Sequence, residues 1–214
     1  MITVDETGKN RGEEYVVVAT VTENRQQYRG ITENYHHKNE MKFSNNVSKT
    51  PEIIKKANEC VDGIYAVHTP IDSITDYEKT HYDMLRQLDS MIPYDPTKGL
   101  LVMVDESNEI DSEEVKKIFK KGKRRGDYTS CVVVPSNYFA EIQTNDFITG
   151  TVGSHYNNDD TVIVNKSGKE INCYSMLKKK LIAEEYNRDA PKQTCTQNMR
   201  NRFKGLSRHW RRRI

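Results

Sequence analysis

The chain has 214 residues and a net charge of +2, a length that suits one domain with decoration better than two. Its 35% hydrophobic content and mean hydropathy of −0.83 still allow a single core, but no apolar stretch approaches the roughly 20 residues that cross a bilayer as a helix. The opening Met1–Asp5 has neither the basic start nor the apolar core of a secretory leader, so a soluble, cytoplasmic protein is the expectation. Cys60, Cys131, Cys173 and Cys195 are scattered without a C-x-x-C pair or a histidine at zinc-site spacing; they read as reduced thiols, with Cys131 packed in a strand.

In chain order, Ile2–Val4 and Glu14–Thr22 read as two strands. Between them Thr7–Gly12 has the glycines and polar residues of a hairpin connection. Residues 23–38 are polar and hold at most a short helix. Thr50–Cys60 is a predicted helix with Pro51 tolerated in its first turn. Gly63–His68 reads as a third strand. Asp76–Met91 carries Tyr77, Tyr82, Met84, Leu85, Leu88 and Met91 at helical spacing, and Pro93 stops it.

Gly99–Val104 is a strongly apolar fourth strand, Asp111–Lys121 a helix through Val115, Ile118 and Phe119, and Tyr128–Val134 a fifth strand. Tyr138–Gly153 reads as a helix, Thr161–Val164 as a short strand and Ser175–Tyr186 as a closing helix before the Pro191 linker. A hairpin followed by strands alternating with helices predicts an α/β mixed sheet with helices packed against it. Three parts are expected: residues 1–155 as the main domain, 156–190 as its C-terminal strand and helix extension, and 191–214 as a basic tail.

The near-neutral total hides two basic zones. Lys116, Lys117, Lys120, Lys121, Lys123, Arg124 and Arg125 form one, and Arg200, Arg202, Lys204, Arg208, Arg211, Arg212 and Arg213 the other. Concentrated positive charge in a balanced chain points to a local polyanion contact such as nucleic acid; the bland alternative is a solvated helix face and an unstructured tail. Trp210 among the tail arginines suits stacking on an unpaired base. Lys116, Lys120, Lys123, Arg124, Arg125, Arg208, Trp210 and Arg211 are the candidate nucleic-acid contacts, and the tail is expected to serve affinity more than chemistry.

The most informative feature is a repeated local pattern. Val4-Asp5-Glu6 and Val104-Asp105-Glu106 each place an acidic pair directly after an apolar strand, where α/β folds collect ligands. Strand ends also carry acids to cap turns, but two such ends in one small domain favour function. If the strands were parallel neighbours, the two carboxylates would disfavour each other's ionisation unless a cation sat between them. Hard divalent ions, Mg²⁺ or Mn²⁺, suit such an all-oxygen set. Glu6 and Glu106 would face the other way. His36-His37 reads as a surface pair and His155 as part of a polar loop, with a proton-transfer role as its sharper alternative.

Asp5-Glu6-Thr7-Gly8, Glu40-Met41-Lys42, Asp105-Glu106-Ser107 and Gln143-Thr144-Asn145-Asp146 occur in that order. Over roughly residues 1–155 the chain resembles the ribonuclease-H-like group called the domain of unknown function 3800 family. It departs from the family pattern in Thr7 for Ser, Asn145 for a small residue and Phe43 for Gly, none of which removes a carboxylate. The resemblance implies a ribonuclease-H-like mixed five-stranded sheet flanked by helices: three antiparallel strands, then two parallel ones, the first beside the fourth; the closing helix read at Ser175–Tyr186 would add a C-terminal helical extension. It also implies a metal-dependent nuclease with Asp5, Glu40, Asp105 and Asp146 as ligands of two Mg²⁺ or Mn²⁺ ions, nucleic acid as partner and Lys42 as a neighbouring cation.

In that reading Asp5 and Asp105 flank the ions, Glu40 serves the leaving-group side and Asp146 the water side. On a helix Asp146 shares a face with Phe139, Ile142, Gln143 and Gly150; the alternative is that it caps a new turn at Phe147. The competing readings are a catalytically inactive nucleic-acid-binding or adaptor protein on the same fold, and an ATP-handling protein of the actin-like kind, for which the chain is short.

Overall fold

The structure is a computed structural model describing residues 1–8, 13–33, 42–93, 99–106, 110–120, 129–157, 162–164 and 170–187. The chain begins with two strands, β1 (Ile2–Thr7) and β2 (Glu14–Val21), followed by α1 (Arg25–Glu33) and α2 (Thr50–Cys60). Strand β3 (Gly63–Pro70) and helix α3 (Tyr77–Met91) come next, then β4 (Leu100–Asp105), α4 (Ser112–Lys120) and β5 (Thr129–Val134). Helix α5 (Ala140–Tyr156) precedes a small hairpin of β6 (Val162–Val164) and β7 (Glu170–Asn172), helix α6 (Cys173–Leu177) and strand β8 (Leu181–Glu185).

The main sheet has the order β5-β4-β1-β2-β3-β8. Strands β1, β2 and β3 are antiparallel neighbours, and β4 lies parallel to β1 and to β5. This is the expected arrangement, with one addition. Ser175–Tyr186 is not a helix: it divides into the end of α6 and strand β8, which pairs parallel with β3 and makes the sheet six-stranded. Leu181-Ile-Ala-Glu-Glu185 suits a helix on propensity alone. The open edge of β3 offers it a complete set of backbone partners, and pairing overrides propensity.

Helices cover the sheet on both faces, which is why β2 reads as an unbroken apolar run. Val16 and Val18 of β2 pack with Tyr28, Ile53, Ile54, Phe147 and Ile148, on the face of α1, α2 and α5. Val17 and Ala19 pack with Met84, Leu85, Val115 and Phe119, on the face of α3 and α4. Strand alternation therefore sorts every side chain of β1 and β4 between two layers. Helix α3 starts on a cap, Asp76 accepting the Lys79 N–H at 3.0 Å. Gly8 leaves β1 at φ +96°, where a Cβ would meet the Glu14 carbonyl; only glycine enters that turn without strain.

Cys60, Cys131 and Cys173 are buried and none of them is in a disulfide among the described residues, Cys131 within β5 as expected. Among the described residues no helix is long and apolar enough to cross a membrane. Residues 34–41, 107–109, 121–128 and 188–214 lie outside those described. With them go Glu40, the His36-His37 pair, Lys123, Arg124, Arg125, Arg208, Trp210 and Arg211, and the side chain of Lys120 also lies outside.

Candidate active site

Parallel pairing sets Ile2 beside Val102 and Val4 beside Val104, so the next residues, Asp5 and Asp105, stand at adjacent carboxyl ends. By alternation both point to the α5 layer. Asp5 follows Thr3, which bonds Tyr28 of α1, and Asp105 follows Met103, which packs on Ile142 of α5. Helix α5 then brings Asp146 to the same place. It runs unbroken from Ala140 to Tyr156, so Asp146 lies mid-helix and does not cap a turn at Phe147.

Asp5 is 6% exposed. Its Oδ1 accepts the Glu6 N–H at 2.7 Å, while Oδ2 is buried with no hydrogen-bond partner. Burial pushes its carboxyl well above the ordinary carboxylate range, and the negative charges of Asp146 and Asp105 push it the same way. Asp105 is partly exposed, its Oδ1 receiving the Glu106 N–H at 3.0 Å. A buried acceptor without a donor, crowded by two more carboxylates, is an environment that a hard cation stabilises and water does not.

Asp146 has a donor of its own, the backbone N–H of Phe43, at 2.5 Å from Oδ2. Phe43 opens a 3₁₀ turn whose ring lies on Gly150, one helical turn beyond Asp146, and edge-on to Phe147 at 6.2 Å. The absence of a side chain at Gly150 thus lets the 42–45 segment approach α5 closely enough to hold the carboxylate. Lys42, exposed, immediately precedes Phe43 and so lies at the rim of this site. Gly153 plays a similar part toward Thr7 at the end of β1.

The neighbouring Asn145 is fully buried, its Oδ1 accepting from Thr20 Oγ1 of β2 at 2.6 Å. Thr144 Oγ1 bonds Thr32 Oγ1 of α1 at 3.0 Å. Arg25 of α1 reaches the buried Glu141 carboxylate at 2.9 Å. These contacts fix the roll of α5 over β1 and β2 and hence the direction of Asp146. Phe43, Gly150 and Asn145 were not singled out as site-forming by side-chain chemistry, because what they contribute is a backbone donor, a missing Cβ and a helix orientation.

The other sequence candidates lie elsewhere. Glu6 faces the opposite layer, where its Oε2 stands 3.6 Å from Nδ1 of the buried His81, itself 2.5 Å from the Tyr15 hydroxyl. Lys116 and Lys117 sit on α4, also in that opposite layer, and pair with Glu113 and Glu114 one turn earlier. His155 is in the last turn of α5, not a loop, with its ring stacked on Tyr174 at 3.6 Å. Among the described residues no three His, Cys, Asp or Glu side chains converge closely enough to enclose an ion. Of the four expected ligands three are described, and the charges of two of them, Asp146 and Asp105, act on the third, Asp5.

The comparisons with known proteins agree with this topology. The ribonuclease H2 of Pyrococcus horikoshii OT3 superposes with a TM-score of 0.51 at 14% identity, covering 73% of this chain and 74% of that one. The fold is ribonuclease-H-like. A PCNA–RNase HII complex from Archaeoglobus fulgidus gives a TM-score of 0.51 at 10% identity over 72% of this chain and 71% of that one. No protein-family model matches the chain, and no curated protein sequence matches it.

Proposed function

We propose that the protein is a divalent-metal-dependent nuclease that hydrolyses nucleic-acid phosphodiester bonds, with Asp5, Glu40, Asp105 and Asp146 as its acidic centre. The observation that carries this reading is the buried, partnerless Oδ2 of Asp5 with Asp105 and Asp146 acting on it. Structural likeness at 10–14% identity speaks to fold alone, so the activity rests on the carboxylates. Membership of the domain of unknown function 3800 family belongs to the same proposal and is supported by the four ordered motifs.

The donor set fits hard ions. Asp5, Asp105 and Asp146, with Glu40, would hold Mg²⁺ or Mn²⁺. The chemistry such ions would supply there is activation of a water and stabilisation of charge on the leaving 3′-oxygen. The protein's own residues do the positioning. Asp5 offers Oδ2 toward the centre, held by the Glu6 N–H on its other oxygen. Asp146 is aimed by the Phe43 N–H. Lys42 at the rim would neutralise substrate phosphate.

Purified protein with Mg²⁺ or Mn²⁺, offered single-stranded, duplex and hybrid substrates, should cleave at least one of them, and EDTA should stop it. Asp105→Asn should reduce cleavage to background with the fold retained by circular dichroism. Undiminished cleavage by the folded variant would remove the central assignment. If the wild type binds nucleic acid but cleaves nothing, the protein is a binding or adaptor protein on this fold.

A further inference from the structure

Four rings form a ladder at the end of the sheet that carries the acids. His68, near the end of β3, stacks on Tyr156 with ring centroids 4.2 Å apart and planes at 25°. Tyr156 meets His155 edge-on at 5.5 Å, and His155 stacks on Tyr174 of α6 at 3.6 Å and 15°. Glu14 holds the inner end by its 3.0 Å contact with His68 Nδ1. The outer end opens to solvent: His155 is exposed and Tyr174 partly so. Burial and the neighbouring Lys178 keep His155 below its ordinary pKa, and burial keeps the Tyr174 hydroxyl above its own, so at neutral pH the stacked pair is uncharged.

The register ties this ladder to the acidic centre. Asp5, Val18 and Ala66 form one row across β1, β2 and β3, and Thr7, Val16 and His68 form the row two residues further out. His68 shares the parity of Ala66 and so the face of Asp5. Two strand spacings and two residues of rise put it about 12 Å from Asp5, on the order of three to four stacked nucleotide steps. Lys178 stands beside the outer rings, its charge acting on His155, and Lys179 follows it in the chain; both are exposed and have no ion pair among the described residues. The described lysines of the α4 run, by contrast, lie on the far layer and are paired with acids.

We infer that His155 and Tyr174, with Lys178 and Lys179 beside them, form a stacking platform for a single-stranded segment of nucleic acid leading to the acidic centre. The choice of nucleic acid as occupant rests on the nuclease reading. Aromatic rings accept unpaired bases of any sequence face to face, whereas a duplex keeps its base faces stacked on one another and offers only base edges, sugars and phosphates. Adjacent lysines suit the backbone that accompanies those bases.

The test measures binding in EDTA, where no cleavage is needed, of fluorescein-labelled 12-nucleotide oligothymidylate and oligouridylate and of a 12-base-pair blunt duplex. His155→Ala with Tyr174→Ala should weaken single-strand binding by about 5- to 100-fold, as expected for one or two lost stacking contacts, and leave duplex affinity within about twofold. Tyr174→Phe should retain it. Lys178→Gln with Lys179→Gln should flatten the salt dependence of single-strand binding by about 1.4 in log–log slope. The exposed His155→Ala alone serves if Tyr174→Ala lowers the melting temperature. No single-strand binding by the wild type, equal losses on both substrate forms, or no loss on either would overturn the inference. Platform-dependent binding without cleavage would sink only the nuclease reading, and cleavage indifferent to the platform variants only this one.

Discussion

Asp5→Asn is expected to abolish cleavage and, in metal-free buffer, to make the protein more stable. The folded state raises the Asp5 carboxyl above its ordinary pKa of 3.8 because the group is buried beside Asp146 and Asp105. A raised carboxyl favours its protonated form, so its contribution is intact below pH 3.8 and is lost as pH rises through the folded value. At neutral pH the wild type therefore carries a buried, unpaired charge or the cost of keeping it protonated. Asparagine removes the ionisation and can still accept the Glu6 N–H. A penalty on the order of 1–3 kcal/mol for such a group corresponds to about 2–12 °C in a domain of this size. Melting curves at pH 7.5 should show that gain, and the gap should close toward pH 4. Added Mg²⁺ or Mn²⁺ should invert the order, because an ion that binds the folded wild type stabilises it while the variant has lost a ligand. A variant less stable than wild type without metal at pH 7.5 would contradict this account of Asp5.

Gly150→Ala should lower activity far more than a helix-favouring substitution would suggest. An added Cβ would stand 2.3 and 2.4 Å from two carbons of the Phe43 ring, so the ring must move, and the Phe43 N–H that holds Asp146 moves with it. Overpacking costs about 1–3 kcal/mol and exceeds the gain of about 1 kcal/mol from alanine in a helix. The greater effect is on positioning: a shift near 1 Å at a catalytic group costs on the order of 10²-fold in rate. Gly30 in α1 is the control, since a Cβ there meets nothing within 4 Å; Gly30→Ala should raise stability by about 0.5–1 kcal/mol and leave cleavage alone. If both variants cleave like wild type, Phe43 does not position Asp146.

Much of this molecule is legible in one dimension. Apolar runs ending in Asp-Glu marked β1 and β4, and helical spacing located α3 and α4, because burial imposes a period of two or of 3.6 on any element with one wet and one dry side. Asp5 and Asp105 stood out for the same reason: a carboxylate ending an apolar strand is conspicuous in sequence. Asp146 was legible only with the family motif, since its helix is buried nearly all round and its periodicity is blurred by Gln143, Thr144 and Asn145. The last strand was not legible at all. Leu181–Glu185 suits a helix on its own propensity, and it became β8 because β3 had an unfilled edge.

What the sequence by itself determined is therefore which segments as far as α5 are strands and helices, which strands are apolar, and which acids end strands. Only the tertiary structure decided that the two acidic strand ends are parallel neighbours, that α5 lays Asp146 over them, and that the Phe43 N–H reaches it across Gly150. It also decided which layer each basic group occupies, placing Lys116 and Lys117 beyond the sheet from Asp5, and it drew His68, Tyr156, His155 and Tyr174 from three elements into one ladder. Periodicity records only whether a side chain faces inward. Which inward faces meet is settled by long-range pairing and packing, where each contact depends on residues distant in the chain.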